Sequence, residues 1–124
     1  MAGVAGPSPG RRAEQVAAEV TELVSSLLLH EIRDPRLAMV AITKVKVTAD
    51  LGIARIFFTM LDRAGETEES RAAVEGLKKA ASFMRRRVAE QLSLRHVPEL
   101  VFAYDVGLDD ARRIDSLLDR KSVV

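Results

Sequence analysis

The chain has 124 residues, 48% of them hydrophobic, and its 19 Lys and Arg against 18 Asp and Glu give a net charge of +1. This length supports one compact domain with a core and is too short for two ordinary domains. The absence of cysteine excludes disulfide scaffolds, thiolate zinc sites and cysteine nucleophiles. Because the total charge is nearly zero, a polyanionic partner can be argued only from where the cations cluster.

The N-terminal residues 1–10 are rich in Gly, Pro and Ala and predict a disordered tail. They lack the continuous apolar core of a signal peptide, and no segment approaches the roughly 20 apolar residues that span a bilayer. We therefore expect a cytoplasmic protein with no membrane partner. An ordered domain is expected over residues 11–106.

The first predicted element is an amphipathic helix from Arg11 to about His30. Its apolar residues recur at intervals of four, three and four and therefore lie on one helix face. They are Val16, Val20, Leu23 and Leu27. The helix is expected to end at "RDPRL", because Pro35 lacks an amide hydrogen and disfavours the α conformation at Asp34.

Two strands are predicted next, over residues 39–48 and 53–61, joined by the turn "ADLG" as a hairpin. In the second strand one face is formed by Ala54, Ile56, Phe58 and Met60. In the first strand Lys44 and Lys46 alternate with Val45 and Val47. This pattern predicts a sheet with one covered face and one at least partly exposed to water.

A second helical region is predicted over residues 70–92, with a buried stripe formed by Ala73, Leu77, Ala81, Met84 and Val88. "SLRHVPEL" ends it, and residues 100–105 read as a third strand. Residues 107–124 are expected to be partly helical or disordered. We expect two consecutive helices over residues 70–92, so that the order is α-β-β-α-α-β. It predicts an α+β domain with a three-stranded sheet and helices on one face.

The segment "LKKAASFMRRRVAEQL" places cations on an outward helix face. At about 100 degrees per residue, Lys78, Lys79, Ser82, Arg85 and Arg86 fall within about 120 degrees of one another, beside the buried stripe. A solvated helix face is the structural interpretation of such residues. Only Glu75 and Glu90 offset the charge, however, so the cations are clustered rather than interspersed.

Ser82 admits two structural interpretations. Serine is a poor interior helix residue and a favoured N-cap, so a break at Ala81 and Ser82 would start a new helix at Phe83. That N-terminus would present free amide hydrogens to a phosphate beside Arg85 and Arg86. The alternative is one uninterrupted helix in which serine permits close packing.

Several segments, in order, resemble the ribosome-binding factor A family: "RDPRL" before a strand, "TADLGIARIFF", "AASFMRR", "LRHVPELVFAYD" and "ARRIDSLL". The resemblance covers residues 11–119. It implies a type II KH-like fold and a bacterial factor that binds the free small (30S) ribosomal subunit and its 16S rRNA. It also implies a role in late maturation and rRNA processing, importance for growth in the cold, and no catalytic activity.

In that family an interhelical kink of pattern Ala, any residue, Gly replaces the GxxG loop of KH domains. Here Ala80, Ala81 and Ser82 occupy the kink positions, so the third departs from glycine, which tolerates backbone angles that serine resists.

RNA binding is the leading functional hypothesis. Phosphates would be neutralised by Lys78, Lys79, Arg85 and Arg86 around a central contact at Ser82, and the surface would be extended by Arg95, His96, Lys44 and Lys46. Few aromatics predict little recognition of base identity. We expect a monomer with no cofactor, metal or small-molecule substrate.

Two other classes of function remain. An enzyme would have to rely on His30 or His96, which lie at a helix end and in a loop and have no metal-ligand spacing or nucleophile motif around them. A protein-interaction module without direct RNA contact could use the first helix, or the apolar residues Ile53 and Phe57 on the open sheet face. Arg33 and Arg36 in "RDPRL" either flank a helix stop or extend the RNA surface.

Overall fold

The computed structural model describes residues 9–107, with side chains from residue 11 onward. In chain order its elements are α1 (Pro9–His30), a 3-10 turn (Pro35–Leu37), β1 (Val40–Val47), β2 (Ile53–Met60), α2 (Glu68–Leu92) and β3 (Glu99–Tyr104). Within this range no helix is long and apolar enough to cross a bilayer. Of the tail predicted over residues 1–10, Pro9 and Gly10 instead begin α1, and residues 1–8 lie outside the described residues. Residues 108–124 of the predicted C-terminal segment also lie outside them.

The three strands form one sheet in the order β1, β2, β3. β1 and β2 pair antiparallel, as the predicted hairpin, and β3 pairs parallel to β2. A parallel neighbour requires a crossover connection, which α2 supplies. α1 packs against β1 and α2 against β3, so the helices cover one sheet face. The predicted α+β class is confirmed.

Side chains of the sheet alternate between the core and the uncovered face. The core side is formed by Ala54, Ile56, Phe58 and Met60 of β2 and by Leu100, Phe102 and Tyr104 of β3. The rings of Phe58 and Tyr104 meet edge to face, with centroids 5.8 Å apart. We call the opposite side, which carries Arg55 and Phe57 of β2, the open sheet face.

Each helix buries one stripe, close to the one predicted. α1 buries Ala13, Val16, Val20, Val24 and Leu27, whereas Leu23 is only half-buried at the margin of the stripe. α2 buries Ala73, Leu77, Met84 and Val88, with Ala81 half-buried beside them. Apolar side chains at helical spacing on two helices therefore close the core over one face of the sheet.

α2 is a single helix from Glu68 to Leu92, which corrects the predicted order of two consecutive helices and the break at Ala80, Ala81 and Ser82. Alanine is the best helix former and "AAS" contains neither Gly nor Pro, so nothing local forces an interruption. The helix starts at a capping box between Thr67 and Ser70. It ends at Ser93, whose left-handed backbone (φ 50°) turns the chain away.

The "RDPRL" segment packs its 3-10 turn against α2 at Gly76. A Cβ on Gly76 would lie 3.0 Å from Asp34 Oδ2 and 3.1 Å from Leu37 Cδ2, so only glycine allows this approach without a shift. Leu37 is buried there. The turn therefore packs the segment that follows α1 against the middle of α2.

Candidate nucleic-acid interface

The outward face of α2 carries the cations that the sequence predicts for it. Lys78, Lys79, Ser82, Arg85 and Arg86 are all exposed. Because α2 is continuous through these residues, the regular helical spacing applies to the whole set. The predicted shared face is therefore present in the folded chain.

A shallow depression joins this helix face to the loop that follows α2. It has a volume of about 460 Å³ and is lined by Ser82, Arg85, Arg86, Arg95, His96 and Val97. All of these except Val97 were predicted to bind RNA, while Lys78 and Lys79 lie on the same helix one to two turns earlier. We call Lys78, Lys79, Ser82, Arg85, Arg86, Arg95 and His96 together the α2 surface.

One hydrogen bond fixes the geometry of the depression. The Arg85 guanidinium donates through Nη2 to the backbone carbonyl oxygen of Val97 at 2.9 Å. This bond ties the loop to the helix and holds the charged head of Arg85 in place, so less side-chain entropy is lost when it binds an anion. The remaining N–H groups of this planar fork suit phosphate oxygens.

No carboxylate of the described residues forms an ion pair with this surface. In the described part of the chain the ion pairs involve Arg36, Arg63 and Arg87, and none involves a residue of the α2 surface. Arg87 points away, as its spacing predicts: it forms ion pairs with Glu31, just after the end of α1, and with Glu90, and it lies over the Phe83 ring. The exposed cations beside it are therefore available to a polyanion.

The "RDPRL" segment lies beside the N-terminal end of the α2 surface. Asp34 accepts hydrogen bonds from the Arg36 side chain, the shortest 2.7 Å long, and these hold the pKa of Asp34 below its ordinary value. Lys79 is close enough to lower that pKa further. Arg36 is thus occupied by its own turn, while Arg33 is exposed. The role of these arginines in RNA binding stays a prediction.

The continuity of α2 changes how an anion could be bound at Ser82. Backbone N–H groups inside a helix are committed to intrahelical hydrogen bonds, and only the first turn has free ones. Ser82 is mid-helix, so it offers its hydroxyl but no cluster of free amides. Anion binding on the α2 surface must therefore rely on side chains.

Lys44 and Lys46 do not lie on the α2 surface and so do not extend it, while their role in RNA binding stays a prediction. Both are exposed in β1 and are partnered across the hairpin by Phe57 and Arg55, which alternate with the buried residues of β2. They therefore lie on the open sheet face, whereas α2 covers the other face. Sequence reasoning had also passed over Arg55, although its alternation with Ile56 indicates the same open face.

The described residues show where the groups that an enzyme could use lie. Among them no group of three or more His, Asp or Glu could hold a metal ion. His96 lies in the depression among arginines, and His30 is exposed at the end of α1. A second open cavity of about 370 Å³ between the helices is lined by Glu19, Glu22, Leu23, Ser26, Gln91 and Leu92, and its two carboxylates suit no phosphate ligand.

Comparison with known proteins decides the family. A family profile described as ribosome-binding factor A matches residues 12–118. The chain belongs to the ribosome-binding factor A family. A member from Geotalea uraniireducens is 43% identical over 108 residues, which is 87% of this chain and 86% of that relative. The sequence resemblance is thereby confirmed over nearly the whole described chain.

Solved structures of ribosome-binding factor A share this fold. The crystal structure from Thermus thermophilus has a TM-score of 0.62 at 18% identity, covering 74% of this chain and 94% of that one. A Thermus thermophilus homology model fitted into a cryo-EM map of a 30S complex has a TM-score of 0.59 at 20% identity, covering 74% and 92%. The predicted KH-like α+β fold is confirmed.

Proposed function

We propose that the chain binds the free small (30S) ribosomal subunit through the phosphates of its 16S rRNA and assists late maturation of that subunit, including rRNA processing. The proposal draws on family membership and on the fitting of a Thermus thermophilus ribosome binding factor A into a map of its 30S complex. The observation that carries it is the α2 surface, whose exposed cations form no ion pair with a carboxylate in residues 9–107.

The mode of binding follows from the chemistry of the α2 surface. Lys and Arg neutralise phosphates and release counterions, which gives affinity without reading sequence. Among the residues that line the depression, His96 alone carries a ring, so bases would contribute little stacking there. We therefore infer recognition of backbone and shape, centred on Arg85 and Arg86.

Assistance to maturation would come from binding alone, without catalysis or a cofactor. A ligand shifts an equilibrium only by its differential affinity for two states. A factor that prefers the immature RNA conformation would stabilise it while other steps are completed, and it would leave when the mature conformation lowers its affinity. Such a factor would act in the cytoplasm, as a monomer, and would matter most in the cold, when RNA rearrangements are slow.

The first test neutralises the centre of the α2 surface. Arg85→Gln combined with Arg86→Gln should weaken 30S binding and reduce the slope of log affinity against log salt by about 1.5, since each lost phosphate contact is worth ~0.7–0.9 of slope. Binding is measured by co-sedimentation with purified subunits between low and physiological salt.

Arg12→Glu is the matched control for this test. It changes the net charge by the same two units at an exposed position of α1 that does not line the depression. It should leave the slope unchanged, and circular dichroism should show all variants folded. Equal slopes for the double variant and the wild type would contradict the proposed contact.

A protein-interaction role without RNA contact is favoured by one observation. At the corner where α1 ends and the hairpin begins and ends, Leu29, Met39 and Leu61 are 77%, 43% and 68% exposed. Nuclease treatment of the isolated complex separates the two functions. Retention of the factor on a ribosomal protein after the RNA is digested would support the protein contact, whereas release would support RNA binding.

A further inference from the structure

The open sheet face carries three neighbouring cations that the α2 surface does not include. Lys44 and Lys46 alternate on β1, and Arg55 of β2 is the Cα partner of Lys46. All three are exposed. In the described residues none of them forms an ion pair. We call Lys44, Lys46 and Arg55 the open-face cations.

The pairing of Lys46 with Arg55 disfavours folding. Like charges directly opposite each other on antiparallel strands are destabilising, because their side chains lie only about 5 Å apart at the Cβ atoms. The acid on this face is Glu99, but it lies beside Ile53 at the start of β3 and forms no ion pair with Arg55. The Lys46–Arg55 pair contributes no attraction to the fold, so a bound polyanion is the physical reason we assign to it.

An aromatic ring lies among the open-face cations. Lys44 Nζ is 5.0 Å from the centroid of the Phe57 ring, which is half-buried and is the Cα partner of Lys44. Val101, the β3 partner of Arg55, is 39% exposed. A flat sheet face with a ring and apolar side chains flanked by cations suits unpaired bases, which stack on rings while their phosphates meet Lys and Arg.

The open-face cations and the α2 surface lie on opposite sides of the molecule. The helix layer and the sheet layer separate them by roughly 20 Å, given a helix diameter of about 10 Å and a similar layer spacing. One RNA strand crossing the α2 surface cannot contact both without wrapping around the domain. The two cationic surfaces are therefore independent binding sites on one rigid body.

We propose that the open sheet face is a second RNA-binding surface, specific for single-stranded RNA, so that one chain holds two RNA segments at once. This inference rests on the proposed function, which it deepens by adding a second RNA segment. A rigid body with two sites raises the effective concentration of one segment near the other. The factor would then act as a clamp between two parts of the immature RNA.

The test uses the full chain and two single-stranded oligouridylate strands, one carrying a donor dye and one an acceptor dye. If one protein molecule bridges two strands, energy transfer should first rise and then fall as the protein concentration increases. At excess protein the donor and acceptor strands bind to different protein molecules. Lys44→Gln, Lys46→Gln and Arg55→Gln combined should abolish the transfer while each strand still binds. Sedimentation equilibrium at the same concentrations must show a monomer.

A stability measurement accompanies the binding assay. Because Lys46 faces Arg55, the triple variant should unfold at a temperature about 1–4 °C higher than the wild type, in contrast to a variant that damages the fold. Loss of transfer together with unchanged or raised stability supports the second surface. Undiminished transfer in the triple variant, or no transfer by the wild type at low salt, overturns it.

The outcomes distinguish this inference from the proposed function. If residues 108–124 or a protein partner occupy the open sheet face, the triple variant binds 30S subunits as the wild type does and the wild type shows no transfer, which overturns the inference alone. Arg85→Gln with Arg86→Gln reports on the α2 surface separately. An unchanged 30S salt slope in that variant contradicts the proposed function, whatever the oligouridylate strands do.

Discussion

Three consecutive arginines of α2 have different environments. Arg85 bonds the Val97 carbonyl oxygen and borders the depression, and Arg86 lines the depression without an ion pair among the described residues. Arg87 points to the other side of the helix, where Glu31 and Glu90 bind it. Because each helical residue is rotated by about 100 degrees from the one before it, Arg86 faces the depression, whereas Arg87, the next residue, faces Glu31 and Glu90.

Substitutions of Arg87 and Arg86 should therefore have opposite effects, one on stability and the other on binding. Arg87→Ala should lower the free energy of unfolding by about 1 kcal/mol, through the loss of a partly buried ion pair and the contact with Phe83, and should leave 30S binding unchanged. Arg86→Ala should change stability by less than about 0.5 kcal/mol and weaken binding. Urea unfolding and co-sedimentation measure the two effects. A binding defect confined to Arg87→Ala would contradict this assignment.

Asp34 is the residue whose ionisation should affect acid stability. Hydrogen bonds from the Arg36 side chain, and then from its backbone N–H, hold the pKa of Asp34 below its ordinary value. A carboxyl with a lowered folded pKa stabilises the fold above its unfolded pKa and loses that contribution as pH falls through the folded value. The 3-10 turn should therefore be weakened only in acid.

Asp34→Asn tests this linkage. Asn can still accept from the Arg36 N–H, so folding at neutral pH should be nearly preserved, while the fall in unfolding temperature below about pH 4 should become shallower. Arg36→Gln should make the same acid-induced fall in unfolding temperature shallower, and combining both substitutions should make it no shallower than either one alone. Thermal unfolding from acid to neutral pH measures all three. An acid limb as steep as that of the wild type in Asp34→Asn would rule out this role.

At the scale of elements, strands and helices were predicted to within two residues, and the continuity of α2 was not. The hairpin could be predicted because alternating β-branched and polar residues are typical of strands and of few other structures. The start of α2 was placed two residues late, because its capping box uses Ser70 in place of the usual Glu or Gln. Ser82 remained ambiguous because local preference is weak, and burial of Leu77, Met84 and Val88 on one stripe favours one unbroken helix.

Substitution of Ser82 distinguishes a continuous helix from a capped break. In a continuous helix Ser82→Ala should raise the free energy of unfolding by about 0.5 kcal/mol, whereas loss of an N-cap would lower it by about 1 kcal/mol. Ser82→Gly, which introduces the glycine expected from the family resemblance, should cost about 0.5 kcal/mol relative to serine. Chemical denaturation measures both. Destabilisation by alanine would mean that a second helix starts at this residue.

At the scale of the whole molecule, a nearly neutral chain gathers cations on two surfaces, the α2 surface and the open sheet face. The sequence predicted the α2 surface because one helix carries most of it, but the depression also needs the loop that Ser93 and the Arg85 bond fold back. No local pattern predicts that loop path. The placement of Lys44 and Lys46 on the opposite side could have been inferred, since helices cover the apolar face of a sheet and these lysines alternate with its valines.

The parallel pairing of β3 with β2 has a consequence during synthesis on the ribosome. The hairpin can form as soon as it emerges, whereas β3 follows only after the whole of α2. Until then β2 presents an unpaired edge beside Ala54, Ile56 and Phe58, and such edges associate readily with other chains. The nascent domain is therefore most vulnerable to aggregation just before its last strand is translated, and a slow codon stretch within α2 would prolong that interval.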